Sequence, residues 1–438
     1  MGGTAAASAA DMPAKAAVKA PASQACAIRD LSSFNYVGND CGDIWRLLDN
    51  NKLLQGMGIT VDGWLNGGIM GNADSPATHF NGPVGYPDMD NGQFNQGYIS
   101  IARTAPKNNQ GLFLGGRFDV LYGTDYFFTT AAGWDGETIG NTPRWHNSDF
   151  SDGWAIPQAY AEIDYNDLQV KAGHFYTIIG HESAMAKNNF FYTHSYAFMF
   201  GEPATNSGVL VAKPLGNFTV TVGAVDGWNQ FKANASDGGK NFNNFLGGIA
   251  YADSRFGAAF NVQTGNDSDF NIPGVGPYSN RTLLNFVATV NITDRLNYLI
   301  EALYGTQQET LGFNALGSSR ANWYGVNQQL IYTINEQFSA GVRVEWFDDP
   351  QGFLVTGLRP GNTDALFRFP GNFYDVSLGL NYRPIANLTI RGEVRYDRYD
   401  GQPGFAAPMV IGAPPNEPYA DNAKTSQVLF GVDAILQF

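Results

Sequence analysis

YDVSLGLNYRPIANLTIRGEVRYD, Tyr374 to Asp397, carries a pattern that recurs from Met57 to Phe438. Tyr374, Val376, Leu378, Leu380 and Tyr382 are apolar at every second position, with Asp375, Ser377, Gly379, Asn381 and Arg383 between them. After Pro384-Ile385-Ala386 the alternation resumes: Leu388, Ile390, Val394 and Tyr396 fall on one face, and Thr389, Arg391, Glu393, Arg395 and Asp397 on the other. A period of two is that of a strand, so the stretch predicts an antiparallel hairpin with one greasy and one charged face. Tyr374 and Tyr382 end the greasy face of the first strand, as rings at two headgroup levels would on a lipid-facing strand.

Composition narrows the setting. The chain carries 40 acidic and 26 basic residues, a net charge of −14, which speaks against nucleic acid as a partner. Only 15% of residues are charged while 14% are aromatic, and Gly numbers 52: too few Lys and Glu for a soluble coat, and the Gly, Tyr and Phe of a membrane barrel. No apolar run reaches the length of a transmembrane helix. A spanning chain without such helices must close into a barrel, because an open sheet edge in lipid leaves backbone groups unpaired.

Residues 1–25, rich in Ala, Lys and Pro, read as a flexible tail without the apolar core of a signal peptide. Cys26 and Cys41, the only cysteines, suit a disulfide in an oxidising compartment, or else two reduced structural thiols. Closing that loop would stabilise by roughly 3 kcal/mol. Residues 43–50, DIWRLLDN, predict a short helix capped by Asp43, so that 26–56 forms a periplasmic or plug segment ahead of the barrel at 57–438.

Sixteen strands are predicted: 57–70, 94–103, 112–123, 155–165, 168–178, 205–214, 217–227, 243–252, 255–265, 281–292, 295–305, 321–334, 337–347, 372–383, 387–398 and 425–438. Tight turns such as Asn166-Asp167, Asp253-Ser254 and Thr293-Asp294 alternate with long loops such as 124–154, 179–204 and 348–371. That layout is a transmembrane antiparallel up-and-down all-β barrel with short periplasmic turns and long extracellular loops. The last strand runs Val428, Phe430, Val432, Ala434, Leu436 to a terminal Phe438, which resembles the signal by which the barrel-assembly machinery recognises bacterial outer-membrane proteins.

Residues 154–210 carry a closer likeness. Pro157-Gln158-Ala159-Tyr160, Lys171-Ala172-Gly173-His174-Phe175, Asn189-Phe190-Phe191-Tyr192 and Gly201-Glu202-Pro203 are similar to the putative β-barrel porin-2 family of bacterial outer membranes. The resemblance implies an outer-membrane barrel with a pore over about residues 57–438, and no particular solute. Residues 1–50 have no place in that pattern.

If the apolar set faces lipid, the alternate set faces the lumen: Asp62, Arg117, Asp119, Glu162, Asp164, Lys171, Glu301, Arg343, Glu345, Asp375, Arg383, Arg391, Glu393, Arg395, Asp397 and Asp433. Those positions hold six cations and ten anions, a net of −4, which predicts a weak cation preference in a water-filled channel. A lumen plugged by loops is the competing picture. The third long loop, 179–204, is dense in aromatics and holds His181, Glu182, Lys187, Asn189, Phe191, His194 and Glu202. Folding inward would bury its rings and constrict the pore; the alternative is a lid across the mouth or against another subunit.

The spacing of His174, His181 and His194 gives no zinc motif, Asp88 to Gly92 fails as a calcium loop, and no nucleophile motif appears; neither cofactor, metal nor enzymatic activity is expected. Passive diffusion of small hydrophilic solutes and ions is the leading function. A sugar- or nutrient-selective channel, with Trp145, Trp154, Trp228 and Trp323 along its path, and a structural surface barrel are the alternatives. Expected partners are outer-membrane lipid, the permeating solutes, the assembly machinery and further copies of the chain, as in a trimer.

Overall fold

The computed structural model describes residues 29–30, 35–36, 45–79, 81–84, 92–106, 109–135, 152–231, 242–267, 279–308, 310, 317–356, 367–406 and 416–438. Sixteen antiparallel strands close into one barrel, each paired with its sequence neighbours and the last with the first. They are β1 Thr60–Asn72, β2 Gly92–Arg103, β3 Leu112–Gly123, β4 Gly153–Tyr165, β5 Leu168–Tyr176, β6 Thr205–Leu215, β7 Phe218–Val225 and β8 Asn244–Ala252. The second half comprises β9 Phe256–Asn266, β10 Asn280–Thr293, β11 Leu296–Gln308, β12 Arg320–Thr333, β13 Phe338–Asp349, β14 Gly371–Ile385, β15 Leu388–Gly401 and β16 Ser426–Gln437.

Most strands show the burial alternation of a sheet turned inside out. In β14, Leu378 is 55% exposed and Val376 and Leu380 are also exposed, while Asp375 and Ser377 are fully buried. The same inversion runs through Phe260, Phe286, Val344, Val394 and Val432 on the outside and Asn261, Asn285, Arg343, Arg395 and Asp433 inside. Such a continuous apolar belt is unfavourable in water by about 25 cal/mol per Å², and matches the hydrocarbon slab of a bilayer. Aromatic rings edge the belt at both rims: Phe218 and Tyr251 (5.0 Å) and Phe338 stacked on Tyr382 (4.6 Å) at the short-turn end, Tyr122 and Trp154 (4.8 Å) and Tyr304 and Tyr324 (5.3 Å) at the long-loop end.

The tight turns follow local backbone chemistry. Asn166 and Asp167 both take positive φ (51° and 64°), which a two-residue hairpin needs to match strand twist. The break expected at Pro384-Ile385-Ala386 is instead a register shift between Tyr382 and Ile385, so β14 continues past Pro384, which has no N–H to place in the ladder. Closure is sealed at the carboxyl terminus, where Phe438 N–H donates to Gly63 O and Gly63 N–H to Phe438 O, both at 2.9 Å.

The expected helix at 43–50 is displaced. Residues 47–50 form turns, and the helix is Lys52–Met57, capped by the Asn51 side chain, which accepts from Leu53 N and Leu54 N, and ended by Gly58 at φ 67°. Asn51 caps because its short amide reaches the open first turn, and β1 consequently begins at Thr60 rather than at 57. Trp45 is tied to the β14–β15 turn through both its backbone groups and Asn387 (3.0 and 2.7 Å). Cys26, Cys41 and the tail at 1–25 lie outside the described residues.

Candidate functional site

The loop between β5 and β6, hereafter L3, folds into the barrel. Ile179, Phe190, Phe191, Tyr192, Tyr196 and Phe198 are all buried, as are His181, Glu182, His194 and Glu202; Lys187 and Asn189 are half-buried. A lid across the outer mouth would leave the mid-barrel wall uncovered, whereas L3 bonds to it strand by strand.

Three arginines of the wall grip L3 carbonyls. Arg391 donates through Nη1 to Phe191 O (2.8 Å), Asn189 O (2.9 Å) and Ala186 O (3.1 Å) while its Nε meets Asp433 at 2.8 Å. Arg343 donates to Thr193 O (2.7 Å) and pairs with Asp375 (2.6 Å). Arg395 donates to His194 O (2.6 Å) and pairs with Asp397 (2.8 Å). Wall carboxylates take the loop's N–H groups in exchange: Glu345 accepts from Tyr196 N and Ala197 N at 2.7 Å each, and Glu393 accepts from Thr193 N at 2.9 Å. Irregular backbone inside a barrel needs such partners, because each unpaired buried group costs about 1–3 kcal/mol.

The loop's own side chains complete the seat. His181 donates through Nδ1 to Glu301 (2.7 Å) and accepts at Nε2 from Gln329 (2.7 Å). Lys187 pairs with Asp62 and lies 4.7 Å over the Trp64 ring. Burial alone would raise the Glu182 carboxyl, but the His194 bond (3.0 Å) and the nearby Arg343 outweigh it and hold Glu182 well below the usual carboxylate range. His194 is lowered as well, chiefly by burial. Burial, reinforced by the charge of Glu301, lifts Glu202 well above its ordinary value.

Glycines at inward positions make room for the L3 rings. A Cβ at Gly341 would stand 2.5 Å from Phe190, and one at Gly379 2.8 Å from the same ring. Tyr192 lies against Gly431 and Gly68 in the same way, at 2.8 and 2.7 Å. These glycines are functional positions that a search for charge overlooks; their signal was a Gly in the inward phase of the alternation.

The inward set predicted from alternation does face the interior, but it does not line open water. All of it except Asp62, Arg117 and Lys171 is buried; most buried members pair with one another or with L3, while Asp164 accepts from Asn109 and Arg383 donates to Ala386 O at the short-turn end. The net of −4 is therefore not a field along a water column; the charges meet in contact pairs such as Arg117–Asp119 (2.8 Å) and Arg391–Asp433. The inward residues of β6–β9 are uncharged instead and many are small, among them Ala212, Thr219, Thr221, Gly223, Gly248, Ala250, Ala259 and Asn261, alongside the larger Leu210, Leu246 and Gln263. Of the tryptophans proposed for a sugar path, Trp154 points outward in the long-loop girdle, Trp323 is fully buried edge-on to Trp228, and Trp145 lies outside the described residues.

The sequence profile of the family described as putative beta-barrel porin-2, OmpL-like, matches residues 58–438. The chain belongs to this family. The porin's barrel is similar to three solved outer-membrane proteins. OmpT of Vibrio cholerae aligns at 11% identity and TM-score 0.52, over 87% of this chain and 97% of that one. The channel DcaP of Acinetobacter baumannii aligns at 13% and 0.52, with the same coverages. OmpF of Salmonella typhi, in a complex with daunomycin, aligns at 11% and 0.52, again over 87% and 97%. At these identities the likeness is one of fold. Comparison with curated protein sequences finds no match. Family and fold together make this an outer-membrane porin.

Proposed function

We propose that this porin is a restrictive diffusion channel for small hydrophilic solutes, whose route runs between L3 and the small-residue wall of β6–β9. The observation that carries the reading is asymmetry. The anchors of L3 come from β1–β3 and β10–β15, as Gln96 to Ala184 O (2.7 Å), Gly180 N to Asn285 (3.2 Å) and Asn381 to Phe190 O (3.0 Å) illustrate alongside the arginines. On the opposite wall Gly223, Gly248, Ala250 and Ala259 stand in the inward phase, where Arg343, Arg391 and Arg395 stand on the anchoring wall. Short side chains there leave the space that long ones fill elsewhere. A sixteen-stranded barrel is wide enough to hold both an inward loop and a water path.

Ion selectivity in this reading is weak, and weaker than the interior sum predicts. Asp62 and Lys187 at the short-turn end neutralise each other, as do Arg117 and Asp119. The amino-terminal segment is assigned to the periplasmic side, supported by the Trp45–Asn387 contact at the short-turn end. Swelling of liposomes containing the porin tests the diffusion reading: entry should be measurable for a pentose and fall steeply for a disaccharide. Equal rates for both, or no swelling with either, contradict it.

A further inference from the structure

At the long-loop end, where L3 returns to the wall, lies a cavity of about 410 Å³, within the range of small-molecule sites. Its lining combines the rings of Phe200, Trp228 and Phe353 with a polar part made of Arg281, Arg368 and Glu202. A path for sugars and salts alone has no use for three large rings facing a cavity, and a plain hydrophobic slot has no use for two guanidinium groups.

The polar part is built rather than incidental. The Arg281 guanidinium lies 4.6 Å over the Trp228 ring and is oriented by Asp267 at 3.5 Å and Gln307 at 2.5 Å. Asp267 in turn accepts from Trp228 N (2.9 Å) and Gln230 (3.0 Å), so cation, ring and loop are fixed together. Arg368 is held by the Phe353 carbonyl. Glu202 is buried with one carboxyl oxygen, Oε2, lacking a hydrogen-bond partner.

We infer that this cavity is an outer vestibule that binds small organic carboxylates with a flat apolar body, the carboxylate on Arg281 and Arg368 and the body on Phe200, Trp228 and Phe353. Guanidinium groups present planar forks of N–H donors that match a carboxylate, and the aromatic wall rewards a ring or short hydrocarbon that inorganic anions lack. Glu202 suits an anion site because burial and the charge of Glu301 lift its carboxyl well above the ordinary carboxylate range, which lessens its repulsion of a ligand carboxylate. The inference deepens the diffusion reading, since a ligand seated there obstructs the path beside L3.

The test uses the full chain in planar bilayers with benzoate as probe, and benzamide, benzylamine and acetate as comparisons. Benzoate should reduce the current in a saturable manner, benzamide and acetate at least tenfold less effectively, and benzylamine not at all. Arg368→Gln and Trp228→Leu should each weaken the fractional block about tenfold or more, read against each variant's own unblocked current. Calorimetric titration of the detergent-solubilised parent protein supplies the same ranking where a variant does not insert, and benzoate affinity should fall as KCl rises. A channel that conducts but responds equally to benzoate and benzamide overturns the vestibule and leaves the diffusion reading intact. Preference for benzylamine overturns it as well, by showing Glu202 charged and dominant. A protein that binds benzoate calorimetrically but passes no current overturns the diffusion reading alone.

Discussion

Replacing Arg391 by Met should unseat the tip of L3 while leaving the barrel closed. The side chain donates to three consecutive segments of the loop, at Ala186 O, Asn189 O and Phe191 O, and pairs with the buried Asp433. Met fills a similar volume and supplies none of these bonds. Hydrogen bonds to a charged group contribute about 1.5–3 kcal/mol each, but they share one guanidinium and do not add in full. The Arg391–Asp433 pair lies wholly within the wall, and Asp433 keeps a second donor in Asn66 at 2.7 Å, so its loss bears on the barrel and not on the tip; the carbonyl bonds alone place the loss at about 3–4 kcal/mol. At 1.4 kcal/mol per tenfold, the open population of the tip rises about 10²- to 10³-fold. The assay is thiol labelling at Ser183→Cys, a buried position next to the tip, in a background with Cys26 and Cys41 replaced by Ser. Labelling passes through the open state, so its rate should rise by that factor, with larger and noisier current steps in parallel. Arg391→Lys, which keeps the charge and loses the fork, should fall between. A folded Arg391→Met barrel whose labelling rate stays within about twofold of the parent's would refute the idea that these three carbonyl contacts hold the loop in place.

Gly341→Leu should expel Phe190 from its seat and cost about 1–3 kcal/mol of overpacking, seen as raised conductance, whereas Gly392→Ala on the outer face, with its nearest neighbour at 3.8 Å, should behave as the parent. Leu378→Arg places a cation on the lipid belt near the middle of β14 and should destabilise folding into vesicles by about 2–4 kcal/mol, measured by denaturant titration. Asp125, on the short helix Thr124–Phe128 beyond β3, is pushed up to about 7 by burial, against hydrogen bonds from Gln96 and Thr124. The folded state therefore binds a proton that the unfolded chain has already lost above about pH 4, so its contribution falls as pH rises from about 4 to 7 and is level beyond. The amplitude is on the order of 4 kcal/mol, and Asp125→Asn should flatten the stability profile over that window; an unchanged slope would exclude Asp125 as its source.

The barrel was legible because a period of two leaves no other face for Asp375, Arg391, Glu393 and Arg395 than the inside, and because turn and loop lengths alternate in one phase. The destination of L3 was legible in part: rings such as Phe190 and Phe191 need a surface, but the sequence offered both the wall and the mouth. What resolves it are glycines at 341, 379, 431 and 68, whose meaning depends on which strands come side by side in three dimensions. The charge sum failed for the same reason. Alternation tells which way Arg343 and Asp375 point, but not that they sit 2.6 Å apart beneath Thr193. The vestibule is least visible in one dimension, since Glu202, Trp228, Arg281, Phe353 and Arg368 come from L3, the start of β10 and three other segments spread between residues 202 and 368.

Single-channel conductance with and without L3 tests the constriction most directly. Tyr176 and Thr205 are paired neighbours at the ends of β5 and β6, so residues 179–202 can be replaced by a short glycine turn without stretching the barrel. The parent should give small, steady steps in KCl, and the shortened chain steps several times larger with a higher size cut-off for uncharged solutes. Equal steps from the two proteins would show that L3 does not restrict the path, and silence from both would show that the barrel has none.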